Sequence, residues 1–129
     1  KGLNEQYFGS WEGLVVDTLR EHPEFKQLIK DPANYKAQVN GGETFEQLGE
    51  RAMKALQDII KIHDQGNILI VSHGHTLRLL LALLNGATWQ NHRDEDKSVS
   101  LINTSISVVH YDDENGFRVE KMNDADHLK

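Results

Sequence analysis

Cysteine is absent from the 129 residues, which excludes a disulfide framework, a thiol nucleophile and thiolate metal ligation. Cations are outnumbered: 14 Lys plus Arg against 20 Asp plus Glu leave a formal charge of -6. General binding to nucleic acid or to an anionic membrane needs a basic face, so neither is expected as a partner. A few local cations and backbone amides in one cleft can still hold a small anion. No apolar run approaches a membrane span and no signal peptide is visible, so the expected location is the cytoplasm. An initiator methionine is also missing. The chain opens on Lys1-Gly2-Leu3, as if inside a motif, and reads as a fragment with the core of one modest domain.

The organising stretch is Asn67 to Thr76. Four consecutive aliphatic residues, Ile68 to Val71, stand between a Gly-Asn turn and His73-Gly74-His75, and predict a strand buried on both faces. A helix is expected to follow over Leu77 to Leu84, stopped by Asn85-Gly86. In α/β proteins such a strand-to-helix turn is where ligands bind, and free N–H groups at the helix start favour an anion there.

Around it, Leu3 to Gly13 reads as an irregular segment rich in aromatics and glycine. One helix is expected to about Arg20 and a second, short one after Pro23, because His22 precedes proline and is pushed out of the helical region. Asp31 to Gly42 is a loop. Thr44-Phe45-Glu46-Gln47 is a capping box that opens a helix with Phe45, Leu48, Ala52, Ala55, Leu56, Ile59 and Ile60 on one face, ending near His63. Thr88 to Lys97 is polar loop. Ser98 to Tyr111 alternates as a strand, Asn115-Gly116 marks a hairpin, and Phe117 to Met122 returns. The sum is a helix-flanked α/β sheet with a parallel element and a terminal hairpin.

His73 and His75 admit several chemistries. Zinc binding is weakly supported, because no third ligand stands nearby and Arg78 disfavours a cation. A serine hydrolase is excluded by the lack of a G-x-S-x-G elbow. Glu5 and Glu12 lie among Tyr7, Phe8 and Trp11, a setting expected to desolvate a carboxylate and raise its pKa toward that of a general acid. Glu43, before a helix start, is expected to pair with Arg51. Trp89 and His92 have no assigned role.

Four separated motifs then join. They are Leu3-x-Glu5-x-x-x-Gly9-x-Trp11-Glu12-Gly13; Gly41-Gly42-Glu43-Thr44 opening a helix with Arg51; Ile70-Val71-Ser72-His73-Gly74 with Leu77-Arg78; and Leu101-x-Asn103-Thr104-Ser105 before Asn123-x-x-x-His127-Leu128. In this order they resemble the histidine phosphatase superfamily, the phosphoglycerate mutase-like fold, over nearly the whole chain. The resemblance implies a three-layer α/β fold, no cofactor, and a small phosphorylated substrate. It implies attack on phosphorus by a histidine of an Arg-His-Gly motif, a second histidine holding the transferring group, and a carboxylate that protonates the leaving oxygen. The second histidine falls on His73 and the acid/base on Glu5. Gly74 and His75 are expected to touch substrate, His75 from the rim.

This sequence contains no Arg-His-Gly. The resemblance therefore implies the C-terminal portion of one domain, residues 1–129, inactive alone and prone to self-associate through its uncovered strand. The expected parent activity is phosphomonoester hydrolysis. The alternatives are a phosphoglycerate mutase and a non-catalytic fragment that binds phosphorylated ligands or oligomerises.

Overall fold

The capping box at Thr44 organises the longest element of the computed structural model, which describes residues 1–129. The Thr44 hydroxyl accepts from Gln47 N, and the Gln47 side chain accepts from Thr44 N. From there helix α2 runs Phe45–Ile62. Its apolar stripe buries Phe45, Leu48, Ala52 and Leu56. Helix α1, Pro23–Lys30, starts with proline at its first position and with the His22 ring accepting from Glu24 N. Proline suits that position because its missing N–H would have no helical partner there.

Helix α3, Gly74–Leu84, begins three residues before Leu77. It ends as expected: Gly86, at φ +98, lets Gly86 N and Ala87 N return to the carbonyls of Leu83 and Ala82. This is the paired hydrogen bonding that closes a helix through a left-handed glycine. Helices α2 and α3 pack together. One core joins Trp11, Leu28, Tyr35, Phe45, Leu48 and Leu79. A second joins Ala52, Leu56 and Leu80, and a third joins Leu81, Ala82 and Val99.

The sheet has two antiparallel strands, β1 (Ile106–Asp112) and β2 (Gly116–Asp124). The α/β class stands, and the Asn115-Gly116 turn lies where it is predicted. The alternation expected from Ser98 does not run as one strand. Thr104 and Asn123 both adopt positive φ, and the register shifts around Val108.

Two further expectations are corrected. Leu14 to Arg20 is no helix. It holds a single 3-10 turn, Val16–Thr18, and Leu14, Val15 and Val16 are exposed. Adjacent β-branched residues without a helical apolar stripe gain nothing by coiling there. The second correction concerns Asn67 to Ser72, which joins no sheet and makes no backbone–backbone hydrogen bond. Leu69 and Val71 are 89% and 85% exposed, whereas Ile70 turns inward against the Ala52–Leu80 cluster. A strand buried on both faces needs neighbours in the sheet and a layer above it. These 129 residues supply the layer beneath only, so the parallel element does not form.

Candidate active site

The first six residues lie across the start of α3 and the middle of α2. Ser72 Oγ donates to the Leu3 carbonyl at 2.6 Å, and Thr76 Oγ1 donates to the Asn4 carbonyl at 2.7 Å. From the other side, Arg51 donates to the carbonyls of Gly2 (2.8 Å) and Glu5 (2.9 Å). The expected Glu43–Arg51 pair is present and two-pronged, at 2.7 and 2.9 Å. Glu43 also accepts from Tyr7 N. The ion pair is thus a buckle that ties the Leu3–Gly13 segment to α2.

This strapping delivers Glu5 to the N-terminus of α3. Its Oε1 accepts from Gln6 N (3.0 Å), Thr76 N (3.0 Å) and the Thr76 hydroxyl (3.2 Å). Its Oε2 accepts from His75 N at 3.1 Å. Burial pushes the Glu5 carboxyl up, but the N–H groups of Gln6, His75 and Thr76 outweigh it, and the net shift is downward. Hydrogen bonding to the charged form is the stronger effect at a helix N-terminus. The expectation of a raised pKa is therefore overturned: the aromatic neighbours do not dominate.

His73 is the N-cap residue of α3, exposed, and its imidazole has no protein partner. Gly74 is exposed beside it, and its N–H donates to no protein group. The two therefore present a free imidazole and a free amide on one corner. His75 does not share that corner. Its Nδ1 lies 3.0 Å from Gln6 Oε1, and its ring packs edge-on against Phe8 at 5.3 Å between centroids. Burial, then the charges of Arg93 and Arg78 against the opposing Glu5, lower its pKa to about 4. His75 is thus a neutral, half-buried wedge rather than a rim residue.

An open cleft of about 380 Å³ flanks Glu5 on the other side, with Glu12, Glu43 and Arg51 in its wall. Lys1 also lines it, so the cleft carries both signs of charge, with Arg51 already paired to Glu43.

Three inward-facing groups were given no role by the sequence reading: Gln6 and Arg93 were not singled out, and His92 was left unassigned. Gln6, 1% exposed, donates to the Glu43 carbonyl while its amide oxygen meets His75. His92, fully buried, holds the Trp89 carbonyl through Nδ1 and packs on Phe45. Arg93 lies beside Arg78. In irregular loops no periodicity reveals which residues point inward.

The family model of the histidine phosphatase superfamily (branch 1) matches residues 1–125. The chain is 30% identical over 127 residues to a metal-independent phosphoserine phosphatase of Arabidopsis thaliana, covering 98% of this chain and 50% of that protein. It is 29% identical over 133 residues to a probable phosphoglycerate mutase, GpmB, of Salmonella paratyphi B, covering 98% and 59%. Among solved structures, Bacillus stearothermophilus YhfR superposes with a TM-score of 0.87 at 28% identity, over 99% of this chain and 61% of YhfR. The chain therefore spans about half the length of the curated relatives it matches.

Proposed function

The chain belongs to the histidine phosphatase superfamily, and from that premise we propose that it is the C-terminal portion of a cofactor-independent phosphomonoesterase. The attacking histidine is then carried by polypeptide other than these residues. The observation that carries the reading is the corner at α3: a free His73 imidazole, a free Gly74 N–H, and the Glu5 carboxylate on the neighbouring N–H groups.

The chemistry follows. A histidine nitrogen attacks phosphorus, and the P–O ester bond breaks. The leaving oxygen takes a proton from Glu5. Water then attacks the phosphohistidine, Glu5 takes the water's proton, and inorganic phosphate leaves. His73 and Gly74 donate to the phosphoryl oxygens throughout, supplying charge stabilisation where the transition state needs it. Glu5 begins as a carboxylate, held so by its N–H partners. Arrival of a phosphoryl dianion places like charge beside it and raises its pKa, which prepares the proton-donating form.

A second reading rests on Asn67 to Ser72. Its unpaired backbone and exposed Leu69 and Val71 suit strand pairing with a second copy of the chain. Sedimentation of the 129-residue chain as a well-folded monomer would count against that.

The test of the enzyme reading is turnover of a small phosphomonoester by the full-length protein. His73→Ala and Glu5→Gln should each lower kcat by about 100-fold or more, and a chelator should leave the rate unchanged. Wild-type rates in both variants would refute the assignments.

A further inference from the structure

The side-chain amide of Gln6 is buried, and both of its ends are committed. Its Nε2 donates to the Glu43 carbonyl at 3.0 Å, and its Oε1 meets Nδ1 of His75, also at 3.0 Å. Chemistry dictates which end faces which partner. A carbonyl oxygen only accepts, so the amide must turn its nitrogen to Glu43, and the reverse placement would set oxygen against oxygen. An oxygen is left facing His75. It too only accepts, so Nδ1 of His75 must donate and therefore carries the ring proton.

The far side of the ring is fixed by the same choice. Burial lowers the His75 pKa to about 4, so the imidazole is neutral near pH 7. A neutral imidazole holds one ring proton, and with that proton on Nδ1 the other nitrogen, Nε2, is a bare lone pair. Nε2 has no protein partner and is not among the polar atoms sealed from solvent. The Phe8 ring, packed edge-on at 5.3 Å, restrains the imidazole from turning. His75 thus offers an open hydrogen-bond acceptor in a set orientation.

That acceptor hangs from the residue whose own N–H holds Oε2 of Glu5 at 3.1 Å. Gln6 N holds the other carboxylate oxygen, Oε1, at 3.0 Å. Gln6 and His75 are therefore joined to each other and to Glu5 by direct hydrogen bonds. A lone pair repels the oxygens of a phosphoryl dianion and attracts an O–H or N–H group. In a phosphomonoester such donors belong to the alcohol part, the part that leaves on the side of the group that protonates it.

We propose that Gln6 is a positioning residue and His75 a specificity-determining one: Gln6 locks the His75 proton on Nδ1, and Nε2 accepts a hydrogen bond from a hydroxyl or amine of the leaving group. The substrate class is then a small phosphomonoester whose alcohol carries a second hydroxyl or an amine. This rests on the enzyme reading above for the position of the leaving group, but not for the locked ring.

Two arms in the full-length protein separate those claims. The first follows the His75 ring by nitrogen NMR at neutral pH. The protonated nitrogen should be Nδ1 and the bare one Nε2, and Gln6→Leu should release the ring to the opposite tautomer or to a mixture. Saturating 2-hydroxyethyl phosphate or 2-aminoethyl phosphate should move the Nε2 resonance further than ethyl phosphate does. The second arm compares kcat/KM for the same three esters. A donor-bearing ester should be favoured over ethyl phosphate by about 10-fold, and the larger of the two ratios tells hydroxyl from amine. His75→Asn keeps an N–H donor facing Gln6 and has nothing in the place of Nε2. It should fold as the wild type does by circular dichroism and lose the preference. A proton on Nε2 in the wild type, or equal kcat/KM for all three esters, would overturn the proposal. So would a folded His75→Asn that keeps the preference. Absence of turnover in every form would sink the enzyme reading, while the locked ring and the Nε2 response would still be decided by the first arm.

Discussion

In the Glu5→Gln variant, the carboxylate that closes the N-terminus of α3 becomes an amide with one acceptor oxygen instead of two. The native Oε1 accepts from Gln6 N, Thr76 N and the Thr76 hydroxyl, and Oε2 accepts from His75 N. An amide can answer one of these two sets. Its NH2 then faces an N–H or a hydroxyl, donor against donor. Loss of a charge-assisted bond costs about 1.5–3 kcal/mol. Loss of the negative charge at the helix start adds about 0.3–1 kcal/mol. Glu5 is only half-buried, so solvent reduces both effects, and about 1–2 kcal/mol remains, or a fall in Tm of about 3–8 °C.

The pH dependence follows from the direction of the shift. Glu5 has its folded pKa depressed below the ordinary 4.5, so its contribution is complete above the unfolded value. It disappears as pH falls through the folded value. Urea unfolding followed by circular dichroism at neutral pH should show the gap between wild type and Glu5→Gln, and the gap should close in acid. Equal midpoints at neutral pH, or a gap that widens on acidification, would refute the capping argument.

Two further outcomes test the scaffold. Arg51→Ala removes the donor shared by Glu43, Gly2 and Glu5 and leaves a part-buried carboxylate unpaired. It should cost about 2–4 kcal/mol in chemical denaturation and make the first residues sensitive to limited proteolysis. Gly49→Ala should instead stabilise by up to about 1 kcal/mol. A methyl at that mid-α2 position meets Leu83 and Leu79 at 3.5 and 3.6 Å, ordinary contact, so a raised urea midpoint is expected.

How much of this was legible in the sequence depends on how far each device reaches along the chain. The capping box at Thr44 and the glycine stop at Gly86 act within a few residues, and both stand where the pattern predicts them. The Glu43–Arg51 pair spans two helical turns and was equally readable. The Asn67 to Ser72 strand was misread because burial belongs to neighbours, not to composition: four aliphatic residues describe what a segment can pack against, not whether it is present. Glu5 was singled out as a candidate site carboxylate, but the direction of its pKa shift was inverted. The N–H groups that decide its protonation belong to His75 and Thr76, some 70 positions away, and only the folded chain brings them together. Arg93 lay in a polar loop with no period to mark it.

The strapping of the opening segment also dictates an order of events. Leu3, Asn4 and Glu5 are bound to Ser72, His75 and Thr76 across separations of 69 to 72 residues, so none of these contacts can form before α3 exists. Contacts with such long loop closure come late in folding. Weakening them should speed unfolding and leave the folding rate nearly unchanged, a split that stopped-flow kinetics on Ser72→Ala would read directly. During synthesis the segment that carries Glu5 thus emerges ahead of the elements that must hold it, and is among the last to find its place.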